Sequence, residues 1–365
     1  MSTSPDPRRY LLTEEESDQI FREEIAPQLL AAGVEQRQPV VVFVSGQPGA
    51  GKTRTAMIKR VLDERGGSVV VNSDFYKPYH PEFTRLMAED DRNAAAYTSL
   101  DGRRWMAKAE SYLIEHRSDV LIETTMRDPG DFAEPARMFR DAGYRVETAI
   151  LAVPESLSRL GILQRYEEQR RDKGHGRLTL QSNHDAAYAG VLAAADLIDR
   201  EKLVDAVAVY RRGNDLLYAN ELTGEQQWAV TPGTRAAINA ERTRPWTDRQ
   251  AASFTSAIDA LAHRLPADLR PELDTIVALA TRTCLSPRSE PSRHTAMPTS
   301  HRPRATRLPP TPRQRGARSS RPATSPPRPA RALLPTSATG RPLNESTVLG
   351  KDRRRRFAAG RGARH

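Results

Sequence analysis

The sequence predicts an α/β fold in which a parallel β-sheet carries helices on both faces. Short apolar runs alternate with longer stretches of helical periodicity through the first 280 residues. A glycine-rich loop stands between the first of these apolar runs and the helical stretch that follows it. Near residue 283 the composition changes to an Arg- and Pro-rich tail. These features predict one sizeable folded unit followed by a disordered basic segment.

The N-terminal segment, residues 1–35, is predicted to be helical. Thr13 and Glu16 occupy the positions of a capping box, and apolar residues follow at helical spacing as far as Gly33. Pro27 lies inside this stretch. Because proline lacks the N–H that continues the helical hydrogen-bond pattern, we expect a kink there.

The most informative motif follows the first apolar run, residues 40–44, which is predicted to be a buried strand. It fits G-x-x-x-x-G-K-[ST] and consists of Gly46, Gln47, Pro48, Gly49, Ala50, Gly51, Lys52 and Thr53. A helix-favouring stretch continues to Arg65. Backbone amides of such a loop, with the positive end of the next helix, bind phosphate oxygens. Lysine then reaches the terminal phosphates and threonine holds Mg²⁺, so this P-loop predicts binding of a nucleoside triphosphate.

Further strands are predicted at the apolar runs 69–71, 120–122, 146–153 and 206–210, with helices over 103–117, 132–142 and 155–171. In a parallel sheet with right-handed crossovers, the carboxyl ends of all strands lie at one edge. Gly46, Asp74 and Glu123 each follow a different strand, so we expect them to meet in one crevice. A second capping box at Thr247 begins another predicted helix, and the apolar residues 276–279 close the folded part.

The basic balance of the chain comes from its tail. The whole chain has a formal net charge of +10, but residues 281–365 hold 20 of its 56 Lys and Arg residues and only three acidic ones. The same residues hold 13 of the 27 prolines. Such a segment buries too little apolar surface to offset the entropy lost on ordering. The tail arginines would attract nucleic acid phosphates, but Phe357 is the tail's only aromatic residue for stacking on bases.

Other classes of protein are disfavoured by the composition. Cys284 is the single cysteine, which excludes an intrachain disulfide framework and a Cys-rich metal site. No run of 18 apolar residues occurs, and the N-terminus lacks an apolar signal core. We therefore expect a cytoplasmic protein without a membrane partner.

Three polar residues at predicted strand ends are candidates for chemistry. Phosphoryl transfer needs a group that accepts the proton of the attacking hydroxyl, and Asp74 is the candidate base. Glu123 ends an apolar strand, where a carboxylate is costly unless it contacts a substrate, a metal or hydrogen-bond donors. Thr125 is a plausible helper beside it. Lys77, which precedes a proline, is interpreted as a solvated turn residue, and His80 as structural.

Arginines are expected to stabilise the transferring phosphoryl group. Spacing alone does not choose among Arg165, Arg170, Arg171 and Arg177. Glycines flank His175, which suggests a mobile loop able to close over bound nucleotide.

Taken together, these residues resemble the zeta-toxin family of P-loop kinases, whose characterised members phosphorylate UDP-N-acetylglucosamine. The resemblance extends from about Val40 to Glu221. Besides the P-loop, it rests on the Asp-aromatic-x-Lys/Arg-x-x-His-Pro element at 74–81 and the Glu-x-Thr element at 123–125. It rests also on the Ala-Val-Pro turn at 152–154 and on the Arg-Tyr-Glu element at 165–167.

The resemblance implies a role for each matched residue. Asp74 would deprotonate a sugar hydroxyl, while Lys52, Arg165 and Arg177 would hold the ATP phosphates. Thr53 would bind Mg²⁺, and Glu123, helped by Thr125, would hold the sugar nucleotide. The family also implies a small helical antitoxin as a partner.

One departure from the family pattern concerns the acceptor. In the toxins, the helix before the strand that carries Glu123 contributes a substrate-contacting glutamate. Here Ala107 and Lys108 occupy the nearest positions, and Glu110 is slightly displaced. The acceptor could therefore be another hydroxylated metabolite or an antibiotic instead of a UDP-sugar.

The sequence thus predicts four segments: an N-terminal helical segment at 1–35, a P-loop kinase core at 36–225, a helical addition at 226–282 and the tail at 283–365. The leading functional prediction is an ATP- and Mg²⁺-dependent small-molecule kinase. A nucleotide-dependent interaction protein, or a nucleic-acid-binding protein acting through the tail, remains as an alternative from another class.

Overall fold

The computed structural model describes residues 6, 8–51, 54–285 and 333–334. Within these residues a six-stranded sheet has the order β2-β3-β1-β4-β5-β6. The strands are β1 (Val40–Ser45), β2 (Val69–Val71), β3 (Val120–Thr124), β4 (Arg145–Ala152), β5 (Ala206–Arg211) and β6 (Leu216–Glu221). The first five strands pair in parallel, which confirms the predicted α/β architecture.

The sixth strand differs from the prediction, because β6 pairs with β5 in antiparallel orientation. The turn between them contains Gly213 and Asn214, both with positive φ, which is backbone geometry that Gly and Asn adopt readily. The sheet is therefore mixed at this edge. The strand was not predicted because a polar turn and the mixed sequence of residues 216–221 give little apolar alternation.

Two hydrophobic layers cover the two faces of the sheet. Alternate residues of β1 show the division, since Val41 and Phe43 pack into one layer and Val40, Val42 and Val44 into the other. The first layer includes side chains from α6 (Ser99–Glu115), α7 (Gly130–Asp141), α9 (Gln181–Glu201) and α10 (Thr234–Arg242). On the second face, α2 (Arg54–Asp63) packs against β1 and β3. Helices therefore lie on both faces, as predicted.

The N-terminal helix begins as predicted and then changes its hydrogen-bond register. Thr13 and Glu16 form the expected capping box of α1 (Glu14–Ile20). The chain continues as a π-helix over Phe21–Leu30, which contains Pro27. At its end the amide of Ala31 donates to the carbonyl of Ala26. The expected disturbance at Pro27 thus takes the form of a wider helical turn.

Short helices connect β2 to α6. The helix α3 (Ser73–Tyr76) follows β2 and packs against α6. Two further short helices, α4 (Phe83–Glu89) and α5 (Ala94–Tyr97), connect it to α6.

A third hydrophobic cluster joins the C-terminal helices to the core. The long helix α8 (Glu155–Lys173) packs against α11 (Asp248–Ala262) and α12 (Arg270–Thr283). Thr247 and Gln250 form the predicted capping box of α11. Most of the predicted disordered tail, residues 286–332 and 335–365, lies outside the described residues. In the part of the chain that the structure describes, no helix is long and apolar enough to cross a membrane.

Candidate active site

The described part of the P-loop, Gly46 to Gly51, packs tightly against its neighbours. Gly49 and Gly51 have φ angles of 76° and 77°, which favour glycine. A Cβ atom on Gly49 would lie 1.9 Å from the carbonyl oxygen of Ser158 on α8. The glycines therefore provide both turn geometry and close contact with α8. Lys52 and Thr53, the predicted phosphate and Mg²⁺ residues, lie outside the described residues.

Two loop residues support the loop from inside the protein. Gln47 is fully buried; its Nε2 donates to the carbonyl of Val153 at 2.8 Å, and its Oε1 accepts from Arg242 at 3.3 Å. Ala50 is also fully buried, and its amide donates to the Gln47 carbonyl. The side chains of these two predicted nucleotide-binding residues are thus buried and stabilise the conformation of the loop from the protein interior.

Asp74 lies at the start of α3, where Asn72 caps the helix by accepting a hydrogen bond from the Asp74 amide. Its carboxylate pairs with Lys77 Nζ at 2.9 Å and with the guanidinium of Arg177. Burial opposes ionisation of Asp74, but the charges of Lys77 and Arg177 outweigh it and hold the pKa of this carboxyl well below its usual range. Asp74 is therefore an anion at every pH near neutrality.

Three cations gather around this one carboxylate. Arg165 lies close enough to Asp74 and Arg177 to interact with both electrostatically, and its Nη2 donates to Thr179 at 2.9 Å. Burial and the nearby Arg177 charge lower the pKa of Arg165. Among the described residues, no acceptor reaches the buried Nε atom of Arg165. Asp74 is also the only described carboxylate that pairs with Lys77 or Arg177. The cluster therefore holds more positive than negative charge.

The structure thus brings together Asp74, the candidate base, and the two arginines implied by the family resemblance, Arg165 and Arg177, and it adds Lys77. The interpretation of Lys77 as a solvated turn residue was wrong. Only 11% of its side chain is exposed, and burial, together with the nearby arginines, lowers the pKa of Lys77 against the opposing effect of Asp74. The missed signal was spacing, because a lysine three residues after an aspartate lies on the same helical face.

The segment 174–177 positions Arg177 in the cluster. Its glycines are explained by backbone geometry and by close packing. Gly174 ends α8 in the left-handed conformation, with a φ of 79°. A Cβ atom on Gly176 would lie 2.3 Å from the carbonyl oxygen of Tyr166. The amide of Arg177 donates to Gln169 at 2.8 Å. The suggested mobile loop is therefore packed against α8 in this structure.

Glu123 lies next to the phosphate loop at the end of β3. The strand continues one residue beyond it, and Thr124 accepts a hydrogen bond from the Gly46 amide. Glu123 Oε2 accepts from Asn72 Nδ2 at 2.7 Å, which connects β3 to the cap of the Asp74 helix. Thr125 follows, half-buried. These contacts place Glu123 and Asp74 at one edge, as the sequence predicted.

The backbone after Thr125 is strained. Met126 is fully buried and has a φ of 50°, in the left-handed region that is costly for residues other than glycine. Its carbonyl oxygen would lie 2.2 Å from a Cβ atom added to Gly190 on α9. Strained backbone persists where the surroundings impose it and often accompanies a functional site.

On α6, Lys108 and Glu110, the side chains near the expected site of the phosphate-accepting substrate, face in different directions. Lys108 pairs with Glu14 and Asp18 of α1, away from the crevice. Glu110 is 4% exposed and near Tyr76 of α3, whose pKa is raised by burial and by the Glu110 carboxylate. Burial raises the pKa of Glu110 to about 8. Glu110, and not Lys108, therefore lies on the side of α6 that faces the Asp74 helix.

His80 is structural, as predicted. Its Nε2 donates to the carbonyl of Tyr10 at 2.9 Å, and its Nδ1 accepts from the amide of Glu82. Nε2 also lies 3.4 Å from the buried carboxylate of Asp101. His80 thereby joins the N-terminal segment to the segment that follows Asp74.

A cavity of about 140 Å³ lies close to the P-loop at the ends of β4 and β5. Arg212 connects the two, because its Nε would lie 3.2 Å from a Cβ atom added to Gly51. Glu241 of α10 pairs with Arg211 at 2.8 Å and with Arg244 at 3.0 Å, which orders one wall. The lining residues are Ala152, Pro154, Leu157, Arg211, Arg212, Glu241, Arg244, Trp246 and Gln250. The wall thus offers an aromatic ring and several guanidinium groups.

A second polar cluster lies at the start of α8. Glu155, His184 and Asp185 are close enough to share a cation, but Arg159 pairs with Glu155 and Asp185, each at 2.9 Å. A guanidinium already neutralises these carboxylates, so the cluster does not favour a metal ion. Ser158 Oγ lies 2.8 Å from His184 Nε2, and both residues are buried. This network holds α9 against the helix that supports the P-loop.

Comparison with known proteins places this architecture in a family. The family model for the zeta toxin matches residues 28–223. Toxin PezT of Streptococcus pneumoniae is 26% identical over 183 residues, which are 50% of this chain and 72% of PezT. Toxin zeta of Enterococcus hirae is 26% identical over 185 residues, which are 50% of this chain and 64% of that protein.

A solved structure supports the same fold. A chain from the PezAT chromosomal toxin-antitoxin system of Streptococcus pneumoniae aligns with a TM-score of 0.57 and 19% identity. The alignment covers 69% of this chain and 98% of that chain. The family match spans more than half of this chain and includes the P-loop, Asp74, Glu123, Arg165 and Arg177. The protein therefore belongs to the zeta toxin family.

Proposed function

We propose that this protein is an ATP- and Mg²⁺-dependent kinase that phosphorylates a hydroxyl group of a sugar nucleotide. The observation that carries the proposal is the surplus of positive charge beside the P-loop. Lys77, Arg165 and Arg177 surround one carboxylate, and the buried Nε of Arg165 lacks an acceptor among the described residues. A phosphoryl group, with three charged oxygens, would satisfy these donors.

The nucleotide would bind through the P-loop and the arginines. Backbone amides of the loop and Lys52 would hold the phosphates, with Arg165 and Arg177 on the transferring group. Thr53 would hold Mg²⁺, which neutralises charge that develops on the phosphate oxygens. The cavity lined by Trp246 and Arg212 would take the nucleotide base, through stacking and guanidinium contacts.

Asp74 would serve as the base. As the acceptor oxygen bonds to the γ-phosphorus, the bond from phosphorus to the bridging oxygen of ADP breaks, and the hydroxyl proton passes to the Asp74 carboxylate. Arg177 pairs with Asp74 here, so its engagement with the γ-phosphate would weaken that pair. Phosphate binding would thus raise the basicity of Asp74 at the moment when the proton has to move.

The acceptor proposed first is UDP-N-acetylglucosamine, the substrate of characterised family members. Glu123, helped by Thr125, would bind its hydroxyl groups, since both lie at the same sheet edge as Asp74. The structural relative comes from a toxin-antitoxin system, and its fold is shared by this chain. We include an antitoxin among the proposed partners for that reason.

The direct test incubates the full chain with Mg²⁺, ATP and UDP-N-acetylglucosamine and follows the mass of the sugar nucleotide. We expect a gain of one phosphoryl group that requires both ATP and Mg²⁺. Lys52→Ala should abolish the product, while Lys59→Ala, which changes an exposed lysine of α2, should not. If ATP binds but the sugar nucleotide stays unmodified, the acceptor assignment is wrong, and other hydroxylated acceptors follow in the same assay.

A further inference from the structure

The second face of the sheet carries an unusual row of small side chains. Ala149 of β4, Ala208 of β5 and Ala219 of β6 are direct neighbours across three strands. All three belong to the hydrophobic layer that α2 shares, but α2 packs against β1 and β3. Larger residues, Leu151 and Tyr210, form the adjacent row toward the P-loop edge. The alanines therefore leave a shallow apolar recess over β4, β5 and β6, which we call the alanine recess.

A distant part of the chain packs into the hydrophobic layer that contains the alanine recess. Leu334 is 4% exposed and is a buried member of the same hydrophobic layer, with Leu333 packed against it. The 47 residues that connect Leu285 to Leu333 could extend on the order of 150 Å, so chain length poses no obstacle to this contact within one molecule.

A buried carboxyl group borders the recess and accepts hydrogen bonds from the backbone of this segment. Glu147 of β4 is fully buried, and its Oε1 accepts from Arg145 Nε at 2.7 Å. The amides of Leu333 and Leu334 donate to its two carboxylate oxygens at 2.9 Å and 2.8 Å. A buried carboxylate is costly without such donors. Two consecutive backbone amides thus satisfy the buried carboxyl group of Glu147, next to the alanine recess.

The sequence around this contact agrees with a docking role. Residues 286–365 contain only two places where two large aliphatic residues are adjacent, Leu333–Leu334 and Val348–Leu349. Pro335 follows the first pair. The family match ends at residue 223, so this contact joins a segment outside the match to a strand inside it.

We propose that Leu333 and Leu334 are an anchoring motif that docks within the same molecule onto the alanine recess and Glu147. The motif completes the hydrophobic cover of β4, β5 and β6. It also returns the chain to the folded core at Leu333, after the 47 residues that follow Leu285. The inference is independent of the proposed kinase activity, since the contact lies on β4 near its amino end, away from the P-loop edge.

Hydrogen exchange on the full chain tests this proposal. The amides of Leu333 and Leu334 should exchange at least about tenfold more slowly than those of the tail around Leu349, because they donate to a buried carboxylate. Leu334→Asp should remove this protection, while Leu349→Asp, the matched change at the other aliphatic pair, should preserve it. Glu147→Gln should reduce the protection without changing the circular dichroism of the core.

Three outcomes would overturn the proposal. The first is exchange at Leu333 and Leu334 as fast as in the rest of the tail, and the second is protection that survives Leu334→Asp. The third is protection that appears only at concentrations where sedimentation shows a dimer, which would assign the docking to a second copy of the chain.

Discussion

At the residue scale, the central feature is one carboxylate shared by three cations. Asp74 and the two arginines could be predicted from the sequence, the arginines only through the family resemblance. Lys77 was missed, because the proline that follows it suggested an exposed turn and outweighed its spacing of three residues from Asp74. Its 11% exposure arises from packing between α3 and its neighbours, and single-residue properties do not report such packing.

The effect of burial on the pKa of Glu110 can be tested through the pH dependence of stability. Its pKa is raised to about 8 by burial, so the folded protein binds a proton there that the unfolded chain releases near pH 4.5. The stabilisation is fully present below pH 4.5 and is lost as the pH rises through 8. Glu110→Gln, which resembles the protonated form, should therefore raise the free energy of unfolding at pH 9 by on the order of 1–4 kcal/mol, with little change at pH 4.5.

Urea unfolding at the two pH values measures this difference. Glu115→Gln, an exposed position on the same helix, is the control and should behave alike at both. A Glu110→Gln effect of equal size at pH 4.5 and pH 9 would show that the carboxyl is not protonated by its surroundings.

At the element scale, the alternation of strands and helices could be predicted because each strand of the parallel sheet is a short apolar run between polar ends. The antiparallel pairing of β6 could not be predicted, since β6 is half-polar and its pairing depends on the turn at Gly213. The capping boxes of α1 and α11 were predicted correctly because they depend on residues three apart. Contacts between elements that are distant in sequence, such as α10 and the P-loop, produce no local sequence pattern and so could not be predicted.

The contact of α10 with the P-loop leads to a prediction of its own. Arg242 is 4% exposed, stacks over Tyr188 and donates to Gln47 within the loop. Arg242→Met keeps much of the side-chain volume but leaves buried Gln47 with an unsatisfied acceptor, a cost of roughly 1–3 kcal/mol. If that cost falls on the nucleotide-binding conformation of the loop, ATP binding should weaken on the order of tenfold.

Isothermal titration with ATP and Mg²⁺ measures the change. Arg235→Met removes an exposed arginine from the same helix and should leave the affinity unchanged. An Arg242→Met protein that binds ATP as tightly as the wild type would show that α10 does not support the loop.

At the scale of the whole molecule, charge separates the chain into a net acidic part and a basic tail, and this was visible in the composition. The predicted segment boundaries at 35, 225 and 282 remain predictions. The contact of Leu333 and Leu334 with β4 could not be foreseen, because its partner strand lies almost 190 residues away. The proposed recess likewise depends on the register that makes Ala149, Ala208 and Ala219 neighbours across three strands.

In the proposed reaction, Asp74 acts in proton transfer and not in nucleotide binding. The most direct measurement compares ATP affinity and turnover for the wild type, Asp74→Asn and the control Asp141→Asn, which changes an exposed residue of α7. We predict that Asp74→Asn binds ATP at least as tightly, because Arg177 and Lys77 lose a competing anion, while turnover falls by roughly 10²–10⁴-fold. Turnover within about tenfold of the wild type, or loss of ATP binding together with turnover, would contradict the assignment of Asp74 as the base.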